Sequence, residues 1–383
     1  MQRRRVISAI GQGAGLSFLG GLGAVARAQS AGVTDNAIVL GQSAAFSGPA
    51  QQLGLQYHLG AMACFEGVNA KGGVHGRKIE LRRLDDGYDP QRCEANTRQL
   101  LQENVFALFG YVGTPTTQVA LPLATQAKVP LFAPLTGAES LRNPFDRHVV
   151  HIRASYNDET AAIVRQLTSV GIRRIAVFHQ DDGYGQAGLA GVQAALKTLD
   201  LTPVSVGVVA RNSTEVAAAL KTILASRPEA IVQIGAYQAC AVFVRQARRA
   251  GYTGNFYNVS FVGTQALLDE LGAEAKGVAV SQVMPYPYSA TTPIAAEYQA
   301  ALKDKRGVVP NYSGMEGFVA AKLFTEVLRR AGRGLNRDSF LAALDGLQKL
   351  DLGGFVLEFG PGQRVGSRFV ELTLLTADGR VRR

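Results

Sequence analysis

Residues 41–90 read GQSAAFSGPAQQLGLQYHLGAMACFEGVNAKGGVHGRKIELRRLDDGYDP. Ala37–Ser43 reads as a strand, and Ser47-Gly48-Pro49 makes a turn. Leu53–Ala70 carries Tyr57, Ala61, Cys64 and Val68 at helical spacing. Gly72-Gly73 stops that helix, and Arg77–Asp85 alternates as a second strand. The stretch is therefore a strand–helix–strand unit, whose two strands lie parallel in one sheet.

The same alternation continues outward. Helix Pro90–Glu103, strand Val105–Gly110, helix Pro115–Ala127 and strand Pro130–Ala133 complete a first run. A second run goes from helix Asp158–Val170 to strand Gly277–Gln282, through strands at 174–178, 202–209, 230–234 and 255–259. The expected fold class is α/β, with two parallel sheets flanked by helices. Helical patterns at 293–305, 315–331 and 337–346 come too late for a third sheet. They are expected to pack back on the first lobe, so that each lobe is discontinuous in sequence. The expected division is a leader at 1–28, lobe I at 29–151 and 285–360, and lobe II at 152–284 and 361–383.

Arg3, Arg4 and Arg5 precede a small and apolar run that ends at Ala26-Arg27-Ala28, the A-x-A form of a signal-peptidase site. The Arg3–Ile7 segment also fits a twin-arginine signal. The residue directly after Ala28 is Gln29 and not Cys, which argues against lipid attachment there. The chain carries a formal net charge of +10; loss of the four arginines at 3, 4, 5 and 27 leaves +6. The basic residues are scattered, without interleaved aromatics, and nucleic acid is not an expected partner. With 47% hydrophobic residues, the 383-residue chain can bury a large core. Cys64 and Cys93 lie on successive helices and are expected to pair in an oxidising compartment. Cys240 is expected as a buried thiol.

Catalytic patterns are sparse. The five histidines show no metal-ligand spacing, and there is no G-x-S-x-G elbow. Asp85-Asp86 reads as a turn cap before it reads as an acid–base pair. Gly183 to Gly188 matches G-x-G-x-x-G, but Asp181-Asp182 precede it and would repel a pyrophosphate. No cofactor and no metal are expected, and Tyr184 reads instead as an aromatic at a loop tip, placed to cover a ligand. Two loops are better candidates. Gly110–Thr117 follows a strand and opens a helix, with Thr114 as N-cap and Pro115 first in the helix. Thr136 and Glu139 fit a capping box on the next loop. Hydroxyls and free N–H groups at neighbouring strand ends suit a carboxylate or another anion.

These motifs, taken in order, resemble the type I periplasmic solute-binding proteins of ABC importers, in the leucine/isoleucine/valine-binding branch. The resemblance runs through Ser47-Gly48-Pro49, VNAKGGVHGRKIEL at 68–81, DDGYDP at 85–90, Gly110–Gln118, Pro130–Gly137, Tyr184-Gly185 and VRQARRAGY at 244–252. It implies two Rossmann-like lobes joined by three crossovers, a small-molecule solute in the cleft, a membrane permease as partner, and a monomer. It places a ligand carboxylate on Thr114 and on Leu135, Thr136 and Gly137, with Pro115 and Thr116 as further ligand-binding candidates. Tyr184 and Tyr237 match aromatic positions of the second lobe, Leu53 matches the side-chain pocket, and Phe46 and Ser47 fall beside the cleft. The family's amino-acid binders pair the ligand ammonium with a Glu; here Ser260 falls there. Either Asp181, Asp182 or Glu316 substitutes, or the ligand has no ammonium and is a carboxylate, aromatic acid or amide. The family's own disulfide partner near the third strand is replaced by Gly113. A binding protein that delivers a branched-chain amino acid or related small carboxylate or amide is expected, ahead of a ligand sensor or a cleft hydrolase.

Overall fold

The computed structural model describes residues 31–383, so the leader at 1–28 lies outside the described residues. A five-stranded sheet holds β1 (Ala37–Ala44), β2 (Lys78–Asp85), β3 (Ala107–Phe109), β4 (Leu131–Phe132) and β5 (Val149–Val150) in the order β2-β1-β3-β4-β5. All its pairings are parallel. Its first helices are α1 (Gln51–Ala70), α2 (Pro90–Gln102) and α3 (Thr114–Gln126).

The second sheet is built from β6 (Ile175–Gln180), β7 (Val206–Val209), β8 (Ala230–Ile234), β9 (Asn255–Asn258) and β10 (Val278–Gln282). Its helices are α4 (Tyr156–Ser169), α5 (Gly183–Lys197), α6 (Ala217–Ala225), α7 (Tyr237–Arg249) and α8 (Thr264–Leu271). Helices α9 (Pro293–Leu302), α10 (Tyr312–Ala331) and α11 (Arg337–Asp345) follow, then a hairpin of β11 (Gln348–Asp351) and β12 (Val356–Phe359). Finally β13 (Glu371–Leu375) and β14 (Val381–Arg382) extend the second sheet, which runs β14-β13-β10-β9-β8-β6-β7. The parallel core of that sheet thus ends in an antiparallel edge, which the strand–helix alternation did not predict.

The late helices pack on the first lobe, as the sequence suggested. α1 and α10 approach to backbone contact, because Gly60 faces Gly314 and Gly317 faces Tyr57. A Cβ at Gly60 would lie 1.8 Å from the Gly314 carbonyl oxygen, and one at Gly317 would lie 2.0 Å from that of Tyr57. Behind this seam Phe65, Phe106, Phe109, Phe132, Phe324 and Phe340 form a continuous aromatic core with edge-on and stacked contacts. The stop of α1 needs glycine for the same reason of space. Gly73 has φ 75°, and a Cβ there would meet the Arg77 carbonyl oxygen at 2.0 Å.

The expected Cys64–Cys93 disulfide does not form. Cys64 lies on α1 in the main core, beside the α9–α10 side chains Glu297 and Lys322. Cys93 lies on α2 in a separate cluster with Leu100, Leu108 and Tyr111, its sulfur on the Thr116 carbonyl. α2 and α3 cover one side of the sheet while α1 and α10 cover the other, so adjacency in sequence does not bring the thiols together. All three cysteines are free and buried, and burial pushes the Cys64 thiol up to about 12. Among the described residues no helix is long and apolar enough to cross a membrane.

Candidate ligand-binding cleft

The C-terminal ends of both sheets face each other, and the two lobes are closed together. Gln180 Nε2 of the second lobe donates to the Tyr88 hydroxyl of the first at 3.3 Å, and Asn212 Nδ2 donates to the Gly87 carbonyl at 3.1 Å. Arg211 stands between Asp89 and Asp182, 3.9 Å from each. The chain crosses between lobes after β5, after β10 and after β12. The first and third crossings run side by side, since His151 and Gly366 exchange backbone hydrogen bonds with Arg364 and His151 at 2.7 and 2.8 Å.

Thr114 and Thr136 meet at the ends of β3 and β4, their hydroxyl oxygens 2.7 Å apart and fully buried. Gly113, with φ 102°, caps α3, so the helix begins one residue before the expected start, at Thr114 itself. No side chain larger than glycine fits there; a Cβ would lie 2.2 Å from the Tyr88 ring. Thr116 turns into its own helix and donates to the Val112 carbonyl at 2.6 Å. Leu135 is a buried residue whose N–H donates to the Tyr111 carbonyl at 2.7 Å and whose carbonyl accepts from Gly113 N at 3.1 Å. Thr136 makes no capping box with Glu139; its hydroxyl accepts from Ala138 N at 3.2 Å, and only a short 3-10 turn follows. Pro115 occupies the first turn of α3.

The second lobe covers this pair with aromatic rings. Gly137 leaves space for Tyr156, whose ring is the nearest obstacle to a Cβ there. Tyr156 lies 5.3 Å from Tyr184, Tyr184 lies 4.6 Å from Phe261, and Phe261 lies 5.9 Å from Tyr88. Tyr184 is not at a loop tip. Asp182 caps α5 through the N–H groups of Tyr184 and Gly185, which puts Tyr184 in the first helical turn and fully buries it. The G-x-G-x-x-G match has a packing cause, since Gly185 lies against the Gln180 carbonyl and Gly188 against Ile234. Leu53 reaches across to Gly263, and the Tyr237 hydroxyl faces the Gln52 backbone. Phe46 and Ser47 are instead held within their own lobe. Phe46 packs on His58 and Arg83, while Ser47 donates to Asp85 at 2.6 Å. Burial alone would raise Asp85, but the bonds from Ser47, Phe46, Gly87 and Arg92 bring it down to about 2. Asp85 therefore fastens the turn, as a cap does.

Sequence reading missed the charged centre of the cleft. Arg153, 1% exposed, sits on the first crossover between β5 and α4. Its guanidinium donates to Glu159 at 3.1 Å, to Glu316 at 3.4 Å and to the Ser260 hydroxyl, and lies 5.9 Å from the Tyr156 ring. Glu159 also accepts from Ser260 N at 2.7 Å, Ser260 Oγ at 3.0 Å and Ser281 Oγ at 2.6 Å. Glu316 has one oxygen on Arg153 and the other without any partner. Burial pushes Glu316 up to about 7, against the pull of Arg153 and with the push of Glu159. Arg153 is raised although burial alone would lower it, because Glu316 and Glu159 both favour its charge. The two shifts agree once the partners are ranked: Glu159 takes the close contact and four donors, and Glu316 is the spare acid. Of the acids proposed beside Ser260, only Glu316 belongs to this cluster. Asp181 is exposed, and Asp182 is committed to α5 and Gln180. Arg153, Glu159 and Ser281 are isolated letters in sequence, with no motif around them to mark them.

A Periplasmic binding protein family model matches residues 37–369. The chain is 24% identical over 323 residues to the Leu/Ile/Val/Thr-binding protein of Salmonella typhimurium, covering 82% of this chain and 88% of that one. Among solved structures it is similar to a possible leucine/isoleucine/valine-binding protein of Rhodopirellula baltica, with a TM-score of 0.87 and 34% identity over 90% of this chain and 95% of that one. A substrate-binding periplasmic protein of Ralstonia solanacearum gives a TM-score of 0.86 at 31% identity, over 90% and 99%. The chain belongs to the periplasmic binding protein family, whose members bind and do not catalyse.

Proposed function

We propose that this periplasmic binding protein is the exported receptor of an ABC importer, capturing a branched-chain amino acid or a related small carboxylate or amide and delivering it to an inner-membrane permease. The observation that carries this reading is the Thr114–Thr136 hydroxyl pair at 2.7 Å, with Tyr156 of the opposite lobe beside Thr136 and Tyr184 and Phe261 in ring contact beyond it. The hydroxyls and the N-terminal amides of α3 favour a carboxylate, and the rings favour an apolar or aromatic body. Closure about the paired crossings gives the solute contacts with both lobes, so binding stabilises the closed form by its differential affinity. The leader pattern at 1–28 supports export, and lobe I is taken as 29–151 with 285–360 and lobe II as 152–284 with 361–383.

Mass spectrometry of solute released from protein purified without ligand addition tests the reading. A small organic acid or amide, rebound at one per chain and recovered unchanged by calorimetry and chromatography, is the expected result. Turnover of the compound, or unchanged affinity in a Thr114→Ala/Thr136→Ala variant, refutes it.

A further inference from the structure

We infer that the acidic half of this cleft is already occupied by the protein's own cation, Arg153, and that the solute is an organic acid without an ammonium group. The inference rests on the cleft being the solute site and specifies the charge of what enters it. The chemical class is a simple, 2-oxo or 2-hydroxy carboxylic acid with an apolar or aromatic side chain.

An ammonium group leaving water needs a carboxylate with free lone pairs and no competing cation. Glu159 cannot serve. Its Oε1 accepts from Arg153 and Ser260 Oγ, and its Oε2 accepts from Ser260 N and Ser281 Oγ. Nor does opening of the lobes release it. Arg153 and Glu159 are six residues apart on one continuous segment, fixed by the Ser155–Asp158 capping box at the start of α4. The pair moves as a unit with its own helix.

Glu316 comes from the other lobe and holds Arg153 at 3.4 Å. An ammonium next to it also meets the guanidinium, a like charge in a medium of low dielectric. The raised pKa of Glu316, about 7, further populates its neutral form near neutral pH. Asp182 is bound to the N-terminus of α5 and lies near Arg211, and Asp181 faces solvent. Glu316 Oε1 is the one buried carboxylate oxygen of this group without a partner, and the Arg153 guanidinium held on its other oxygen opposes an ammonium there. On the Thr114–Thr136 side, by contrast, the hydroxyls meet each other, the Ala138 amide and the Tyr156 hydroxyl, all neutral groups, which suits an acid.

Matched pairs of probes test this on ligand-stripped, refolded protein at pH 7.5: 4-methyl-2-oxopentanoate against leucine, and phenylpyruvate against phenylalanine. Calorimetry is expected to show the deaminated acid bound at least tenfold more tightly in any pair that binds. An amino acid bound as tightly as its deaminated partner overturns the inference and leaves the solute-receptor reading intact. Arg153→Met removes the competing cation from Glu316 and leaves Glu159 on its serine donors; provided circular dichroism shows a folded chain, the preference should move at least tenfold toward the amino acid, and an unchanged ratio overturns the inference. Should that variant not fold, or should no probe bind, the solute released from the native protein decides. A carboxylic acid without an ammonium supports the inference, an ammonium-bearing solute overturns it alone, and a solute with no carboxylate overturns it together with the carboxylate reading of the cleft.

Discussion

Glu316→Gln removes one titrating group from the cleft with almost no change of shape, and the pH dependence of folding stability reads out its effect. In the folded chain burial holds Glu316 at about 7, against 4.5 for the free group. Between those values the folded state keeps the proton and the unfolded state has lost it. A raised carboxyl therefore contributes stability that is fully present below pH 4.5 and disappears as pH rises through 7. At about 1.36 kcal/mol per pKa unit, the change between pH 5 and pH 8 is about 2.5 kcal/mol. His58, lowered by burial and by Arg83 to about 4, has the opposite slope, with stability rising from pH 4 to 6.5. His151, lowered to about 3 by burial and by Arg142, acts in the same direction. The parent profile alone is thus ambiguous, but these groups are common to both proteins and cancel in the difference. Urea denaturation of ligand-stripped parent and Glu316→Gln at pH 5 and pH 8 gives that difference. The parent's advantage over the variant should be about 2.5 kcal/mol larger at pH 5 than at pH 8. Parallel profiles, within about 0.5 kcal/mol, would show that Glu316 titrates as an ordinary carboxyl and refute the ranking of Glu159 and Glu316 around Arg153.

Three further outcomes follow from the geometry. The Thr114→Ala/Thr136→Ala variant should lose a hundredfold or more in solute affinity by calorimetry, since each hydrogen bond to a charged group contributes about 1.5–3 kcal/mol. Gly60→Ala should lower the urea midpoint by the equivalent of about 1–3 kcal/mol or more, because its Cβ meets the Gly314 carbonyl and pushes α1 off α10; an unchanged midpoint would mean the two helices do not touch there. Thiol titration of unreduced, denatured protein should count three free thiols, and a count of one would restore the Cys64–Cys93 bond.

Much of the fold was legible because its signals are local. The stop at Gly72-Gly73, the caps and the alternating apolar periods each depend on residues within a few positions of one another. The antiparallel edge β13–β14 and the hairpin β11–β12 were harder, since short strands lack a full period and borrow their pairing from elsewhere. Thr114 and Thr136 were legible as strand-end hydroxyls, and their contact across 22 positions follows from β3 and β4 being neighbours. Tyr184 was expected at a loop tip and lies instead in the first turn of α5, because Asp182 caps that helix. Phe46 and Ser47 proved to serve the turn.

The sequence by itself determined the strand–helix order, the return of the late helices to the first lobe, and the hydroxyl-bearing loops, because each is written in spacing and turn chemistry. The tertiary structure alone decided where charge goes. Arg153, Glu159, Ser260, Ser281 and Glu316 come from five separate places in the chain, and they meet only because one crossover and the ends of α4, β9, β10 and α10 converge at the cleft. Their pairing is a balance of desolvation against contact, and neither quantity exists until the chain is folded.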